Sequence, residues 1–148
     1  MQSYPKEPSS GFPADYRLEV DTTLSVLDPS QASNDLTGFG IIFRNQTGHG
    51  GYFFMVDPVA GAWLFKIEDA QGNPFKMQRD VSTVIQTGQG AKNHLRVDVK
   101  GNQFVGYVNG VQVGSASDSS FGRGNVGLVV AFKGMTVVYT NFVIGPID

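Results

Sequence analysis

Hydrophobic and polar residues alternate with a period of two along most of this chain, in short segments separated by turn formers. In Tyr16 to Val26, Tyr16, Leu18, Val20, Leu24 and Val26 fall on one face and Arg17, Glu19, Asp21, Thr23 and Ser25 on the other, which predicts a long strand with one wet side. A turn-rich loop over 27–38 follows, then a strand from Gly38 to Arg44. Alternation there sets Arg44 opposite Phe39, Ile41 and Phe43, outside the core. After a Gly-rich loop over 45–51, Tyr52 to Asp57 and Ala62 to Asp69 form a hairpin. It pairs Val56 with Trp63, Phe54 with Phe65 and Tyr52 with Ile67 on a strongly apolar face that claims Trp63 for the core. The reverse face pairs Phe53 with Lys66 and Met55 with Leu64, and is less polar than a solvated surface. Weaker patterns suggest strands near Phe75 to Gln78 and Thr83 to Gln86. Val126, Leu128, Val130 and Phe132 give a buried strand, and Met135 to Ile144 a closing one. About eleven short strands in one chain point to an all-β sandwich or barrel.

The stretch from Asn93 to Ser115 fixes its own register. Asn109-Gly110 suits a two-residue turn with positive φ at both central positions, and Gly101-Asn102 turns the preceding pair similarly. Counting outward, Lys100 faces Gln103, Val99 faces Phe104, Val97 faces Gly106, Leu95 faces Val108, Val108 faces Val111 and Gly106 faces Val113. Leu95, Val97, Val99, Phe104, Val108, Val111 and Val113 then share the buried face. His94, Arg96, Asp98, Val105, Tyr107, Asn109 and Gln112 share the other, where any ligand chemistry on these strands has to sit.

A chain of 148 residues is the size of one domain and buries about 70% of its unfolded surface, enough to need no covalent staples. With no cysteine, neither a disulfide nor a thiolate nucleophile is available. The net charge of -2, without a basic cluster, argues against nucleic acid or an anionic membrane as partner. Apolar runs are strand-length, so no membrane-inserting helix is expected. Residues 1–12 read as a polar leader or linker ahead of a domain over 13–148. They lack a signal-peptide pattern, which fits either a cytosolic protein or a domain of a longer exported one.

The order FGIIFRN, GYFF, GAWLFK, NHLRVDVKGN, YVNG, GNVGLVV and NFVI resembles the concanavalin A-like lectin/glucanase superfamily, and more narrowly laminin-G-like and keto-disaccharide-hydrolase-like bacterial domains. The resemblance spans about residues 15 to 145. It implies a two-sheet antiparallel jelly-roll β-sandwich, a carbohydrate or glycoconjugate ligand in a concave sheet face, and an extracellular or cell-surface location. Calcium, which some members carry, would draw on Asp57, Asp69 and Asp118, but no D-x-D-x-D-G loop is present. No cofactor is expected.

A retaining glucanase of that superfamily needs E-x-D-x-E or E-x-D-x-x-E, two carboxylates about 5 Å apart on one strand face. Glu19-Val20-Asp21-Thr22-Thr23-Leu24 lacks the second Glu, and Glu68 and Asp69 are neighbours that a strand turns to opposite faces. The reading is therefore a non-catalytic recognition module. A glycoside-processing enzyme with atypical acid and base, and a structural or protein-interaction laminin-G-like domain, are the alternatives. His49 and His94 show no triad or metal-ligand spacing and read as surface residues. Gly122 to Gly127 matches G-x-G-x-x-G literally, but a strand pattern follows where the dinucleotide fold needs a helix. The Asn45-Gln46-Thr47 sequon has meaning only in a eukaryotic secretory pathway. Two candidate patches remain. One holds His94, Arg96, Tyr107 and Gln112 beside Asn109, with Tyr107 opposite Arg96 in cation–π geometry. The other holds Arg44, Phe53 and Lys66, where the resembling sequences also place an arginine after an aromatic residue.

Overall fold

The computed structural model describes residues 2–3, 12–28, 30, 36–131 and 133–147. Among them run eleven strands: β1 (Gln2–Ser3), β2 (Tyr16–Leu27), β3 (Phe39–Gln46), β4 (Gly50–Asp57), β5 (Ala62–Glu68), β6 (Pro74–Val81), β7 (Lys92–Lys100), β8 (Gln103–Val108), β9 (Val111–Ser117), β10 (Asn125–Val130) and β11 (Met135–Gly145). They form two antiparallel sheets, a six-stranded one ordered β1-β10-β3-β4-β5-β6 and a five-stranded one ordered β11-β2-β7-β8-β9. Of the stretch read as a leader, Gln2 and Ser3 pair with β10 and Phe12 is buried in the core.

Each sheet turns its alternate apolar residues inward. Tyr16, Leu18, Val20, Leu95, Val97, Val99, Phe104 and Val108 meet Phe39, Ile41, Phe43, Tyr52, Phe54, Val56, Trp63 and Phe65 across the interface. The rings of Phe43, Tyr52 and Phe104 interlock, with centroids 4.6 to 5.4 Å apart. Such pairs add about 0.5–1.5 kcal/mol each beyond their burial. Two glycines set the depth of this contact. A Cβ on Gly106 would collide with the Phe54 ring, and one on Gly114 with the Trp63 indole, so the bare backbone of β8 and β9 is the seat for two aromatic rings of the opposite sheet.

The registers counted from the hairpins hold for β4–β5 and β7–β8, including Arg96 opposite Tyr107. At Asn109-Gly110, φ is 54° and 83°, both left-handed as a type I′ turn requires. The β8–β9 ladder departs after one step. Gln112 faces Tyr107, but Gly106 faces Gly114 rather than Val113, because a bulge inserts Val113. Val111, beyond the packed part of the sheet, is 47% exposed. A second bulge, at Ser25 between the Val26–Thr136 and Leu24–Val137 pairs, reverses the alternation of β2 and leaves Val26 51% exposed instead of in the core. Residues 83–86 form a turn and not a strand. Phe132 lies outside the described residues.

The second candidate patch does not form a surface. The β3–β4 register shifts between Phe43 and Gln46, and Arg44 takes a left-handed φ of 48°. That breaks the alternation used to place it, and Arg44 is 1% exposed with its guanidinium 5.5 Å over the core ring of Phe104. Phe53 (1% exposed) and Lys66 (5%) sit on the far side of the six-stranded sheet, but in a second apolar cluster with Ile42, Met55, Leu64 and Val129. Lys66 Nζ lies 4.5 Å over the Phe53 ring and 3.5 Å from Glu68. The apolar reverse face seen in the sequence is a minor core.

Candidate functional site

The outward face of the five-stranded sheet carries the first patch intact. Strand β2 lies beside β7 with Glu19 opposite Arg96, Asp21 opposite His94 and Arg17 opposite Asp98. The wet side chains of β2 therefore join those of β7 and β8 on one surface.

Three contacts order that surface. The Arg96 guanidinium carbon lies 4.0 Å from the centroid of the Tyr107 ring. The same guanidinium donates to both oxygens of Asp98, at 3.0 and 2.8 Å, and Arg17 donates to the same pair at 2.8 and 3.1 Å. Such forked contacts fix orientation as well as charge, so Arg96 is held in place against Tyr107. Burial works to raise the Asp98 pKa, yet the hydrogen bonds from Arg96 and Arg17 outweigh it and hold the carboxyl below its ordinary value. The hydrogen bond to Asp98 raises the Arg96 pKa in turn.

His94 sits between two carboxylates, Nδ1 2.7 Å from Asp21 and Nε2 3.0 Å from Glu19. A neutral imidazole has one N–H, and only the doubly protonated ring donates to both neighbours. Partial burial alone would lower the His94 pKa, but these bonds reverse the sign and leave it raised. Asp21 is held low by its bond to His94, with a second from Asn141 at 2.9 Å. The backbone beneath is tied by Asn109, whose amide oxygen accepts from the His94 N–H at 2.8 Å while its amide nitrogen donates to Val84 O and to the Asn93 side chain.

Beside His94 opens a cavity of about 390 Å³ lined by Asp21, Thr22, Thr23, Lys92, Asn93, His94, Asn109 and Thr140. Tyr107 and Arg96 lie one step along their strands from Asn109 and His94 on the same face, and Gln112 lies across from Tyr107. The surface thus combines an aromatic ring, amides, hydroxyls and paired charges. That is the inventory that recognises hydroxyl-rich ligands through hydrogen bonds and C–H packing. Glu19 and Asp21 share a face, but both are engaged by the imidazole between them, so they do not form an acid and nucleophile pair across a substrate gap.

The loop carboxylates considered for calcium serve their own turns. Asp57 accepts from the Val59 and Ala60 amides and from Arg79, Asp69 from Gln71 and Asn73, and Asp118 from Ser120 and the Tyr52 hydroxyl. Among the described residues no group of three or more His, Asp or Glu side chains is placed to hold a metal ion. Arg44 donates to Ala14 O at 2.8 Å, Gly101 O at 2.6 Å and Phe121 O at 3.3 Å, the work of a structural clamp. Reading the sequence missed the contribution of β2, since the partners of His94 and Asp98 lie more than 70 residues away. The wet face of β2 was legible, and its adjacency to β7 was not.

No protein-family model matches the sequence, and no curated protein is similar to it. Solved structures do match. The carbohydrate-binding module CBM66 from Bacillus subtilis superposes with a TM-score of 0.71 at 22% identity, over 88% of this chain and 74% of that one. The fold is a concanavalin A-like jelly roll. Sheep galectin-11, in complex with glycerol, matches this jelly roll with a TM-score of 0.55 at 13% identity, over 95% and 96% of the two chains. The receptor-binding domain of botulinum neurotoxin type G matches at 0.54 and 9% identity, over 97% of this chain and 38% of that one. At these identities the likeness concerns architecture, and the function rests on the site.

Proposed function

We propose that the chain is a non-catalytic carbohydrate-recognition module that binds a neutral oligosaccharide or glycoconjugate on the outward face of its five-stranded sheet. The observation that carries this reading is the Tyr107 ring, backed by the clamped Arg96 guanidinium and adjoining the cavity beside His94. In this arrangement one sugar ring packs on Tyr107 while its hydroxyls meet His94, Gln112 and the cavity wall. Two of the similar structures are a carbohydrate-binding module and a galectin, which supports the same ligand class. An extracellular or cell-surface role within a longer exported protein fits that class, and among the described residues no helix is long and apolar enough to cross a membrane. Asp57, Asp69 and Asp118 accept hydrogen bonds within their own turns, which supports binding without calcium.

The test is titration of the purified chain against an oligosaccharide panel by calorimetry and NMR, with calcium and with EDTA. Binding that is equal in both conditions and falls at least tenfold in Tyr107→Ala is the expected result. Silence toward every glycan would sink the proposal, and turnover of a chromogenic glycoside would replace it with the enzyme reading.

A further inference from the structure

At the end of the six-stranded sheet, the β3–β4 turn, the β5–β6 turn and the start of β10 enclose a second cleft of about 310 Å³. Asn45, His49, Glu68, Asp69 and Asn125 line it, together with Gln46. We infer that this cleft is a separate binding site for a single sugar ring that carries no negative charge.

The backbone builds the cleft deliberately. Asn45 is opposite Asn125 in the β3–β10 ladder, which sets two side-chain amides next to each other. The Arg44 bulge holds that end of β3, its guanidinium anchored on three carbonyl oxygens, and the Gln46 amide donates to Arg123 O at 2.8 Å to fix the wall. Glycine is needed on the facing strand. A Cβ on Gly51 would press into the Asn45 side chain, and one on Gly50 into the Glu68 carbonyl and the Phe121 ring. Strand alternation would send Glu68 and Asp69 apart, but β5 ends at Glu68 and the turn brings Asp69 back to the same cleft.

Three of the side chains that converge here have bonding capacity left over. Among the described residues, the amides of Asn45 and Asn125 and the ring of His49 make no hydrogen bond within the protein, whereas the polar groups of the sheet-face site are largely paired with one another. Two amides offer both donors and acceptors, and a carboxylate accepts from adjacent hydroxyls, which is the complement of a polyol. Among the described residues no lysine or arginine lines the cleft, whereas Asp69 does and Glu68 is already paired with Lys66, so a uronate, sialate or phosphate meets the Asp69 charge and finds no free cation. Among the described residues no Phe, Tyr or Trp lines it, so the His49 imidazole is the one ring at hand and hydrogen bonding carries most of the contact. The volume lies at the small end of ligand pockets, about 300–1,000 Å³, and suits one ring.

The experiment follows backbone and side-chain amide NMR signals during titration with D-glucose, D-galactose, D-mannose, D-fructose, D-glucosamine and D-glucuronate. Shifts at Asn45, His49, Glu68, Asp69 and Asn125 with at least one neutral or amino sugar, and none with glucuronate, are expected. They should fall at least fivefold in Asn125→Ala and in Glu68→Gln, and persist in Tyr107→Ala. Melting curves that match the parent protein show that these variants fold. If no neutral or amino sugar moves these signals, or if glucuronate moves them most, the inference fails. Shifts confined to Tyr107 and His94 overturn the cleft and leave the sheet-face reading standing, while shifts confined to the cleft do the opposite.

Discussion

Arg44→Met should cost stability and spare ligand binding on the five-stranded sheet. Methionine keeps most of the aliphatic stem that packs against the Phe104 ring, so the change isolates the guanidinium. That group donates to Gly101 O, Ala14 O and Phe121 O, and its ion pair with Asp15 at 3.6 Å faces a side chain that is 53% exposed. An exposed pair of that kind contributes close to nothing. The carbonyls decide the outcome. A buried acceptor stripped of its donor costs about 1–3 kcal/mol, and these three belong to exposed or half-buried residues that water can reach, which puts each near the low end. Their sum is about 3 kcal/mol, a large share of the roughly 5–15 kcal/mol that holds a domain together.

For a chain of this length the loss corresponds to a fall in Tm of roughly 6–12 °C. Urea unfolding followed by tryptophan fluorescence reads it directly, because Trp63 lies in the same core. Arg44→Lys should recover less than half, since one ammonium cannot span three carbonyls arranged for a planar fork. The reasoning is refuted if the urea midpoint of Arg44→Met matches the parent while glycan affinity at the five-stranded sheet collapses, for Arg44 would then face ligand.

Gly106→Ala and Gly114→Ala each drive a methyl group into an aromatic ring, Phe54 and Trp63 respectively, and should destabilise by about 1–3 kcal/mol in chemical unfolding. Lys66→Met removes a buried ammonium whose pKa burial depresses despite Glu68; the variant should lie within about 1 kcal/mol of the parent or above it, and bind glycans as the parent does. His94 has a raised folded pKa, so its contribution is complete below the ordinary value of 6.5 and fades as pH rises through the raised one. Asp98 and Asp21 are held below 3.8, so theirs is complete above that value and fades as pH falls through the lowered ones. The urea midpoint should therefore plateau between these limits, and His94→Gln should flatten the alkaline limb; an unchanged alkaline limb in that variant would remove His94 from the account.

The parts of this fold that were legible in the sequence are those in which turn chemistry fixes register locally. Asn109-Gly110 aligns β8 with β9 at Val108 and Val111, and from there the opposition of Tyr107 and Gln112 follows by counting. Counting fails where a strand gains a residue. The extra residue at Val113, beside Gly114, and the one at Ser25, with no glycine or proline near it, each reverse the alternation downstream. Arg44 is the sharpest case. A bulky residue at φ 48° is uncommon, so a period-two reading places it on the wrong side, and only the carbonyls of segments 30 to 77 residues away explain why it turns inward. The cleft lined by Asn45 and Asn125 was hidden for the same reason, since it depends on a strand pairing between distant segments.

The two outward sheet faces differ in a way that selects one of them for ligand. Ile42, Phe53, Met55, Leu64 and Val129 on the six-stranded sheet are buried, so that face offers no apolar platform to a soluble sugar. On the five-stranded sheet the charges are matched locally: Arg17 and Arg96 share Asp98, and His94 lies between Asp21 and Glu19. Matched charges project little field, so recognition there depends on hydrogen-bond geometry and the Tyr107 ring more than on Coulomb attraction, and affinity should change little with salt. The same pairing immobilises long side chains before ligand arrives. Each such side chain already ordered spares about 0.5–1.5 kcal/mol on binding. A face built of mutually satisfied polar groups gives up some hydrogen-bonding capacity, and gains a surface that a neutral saccharide meets already in its bound shape.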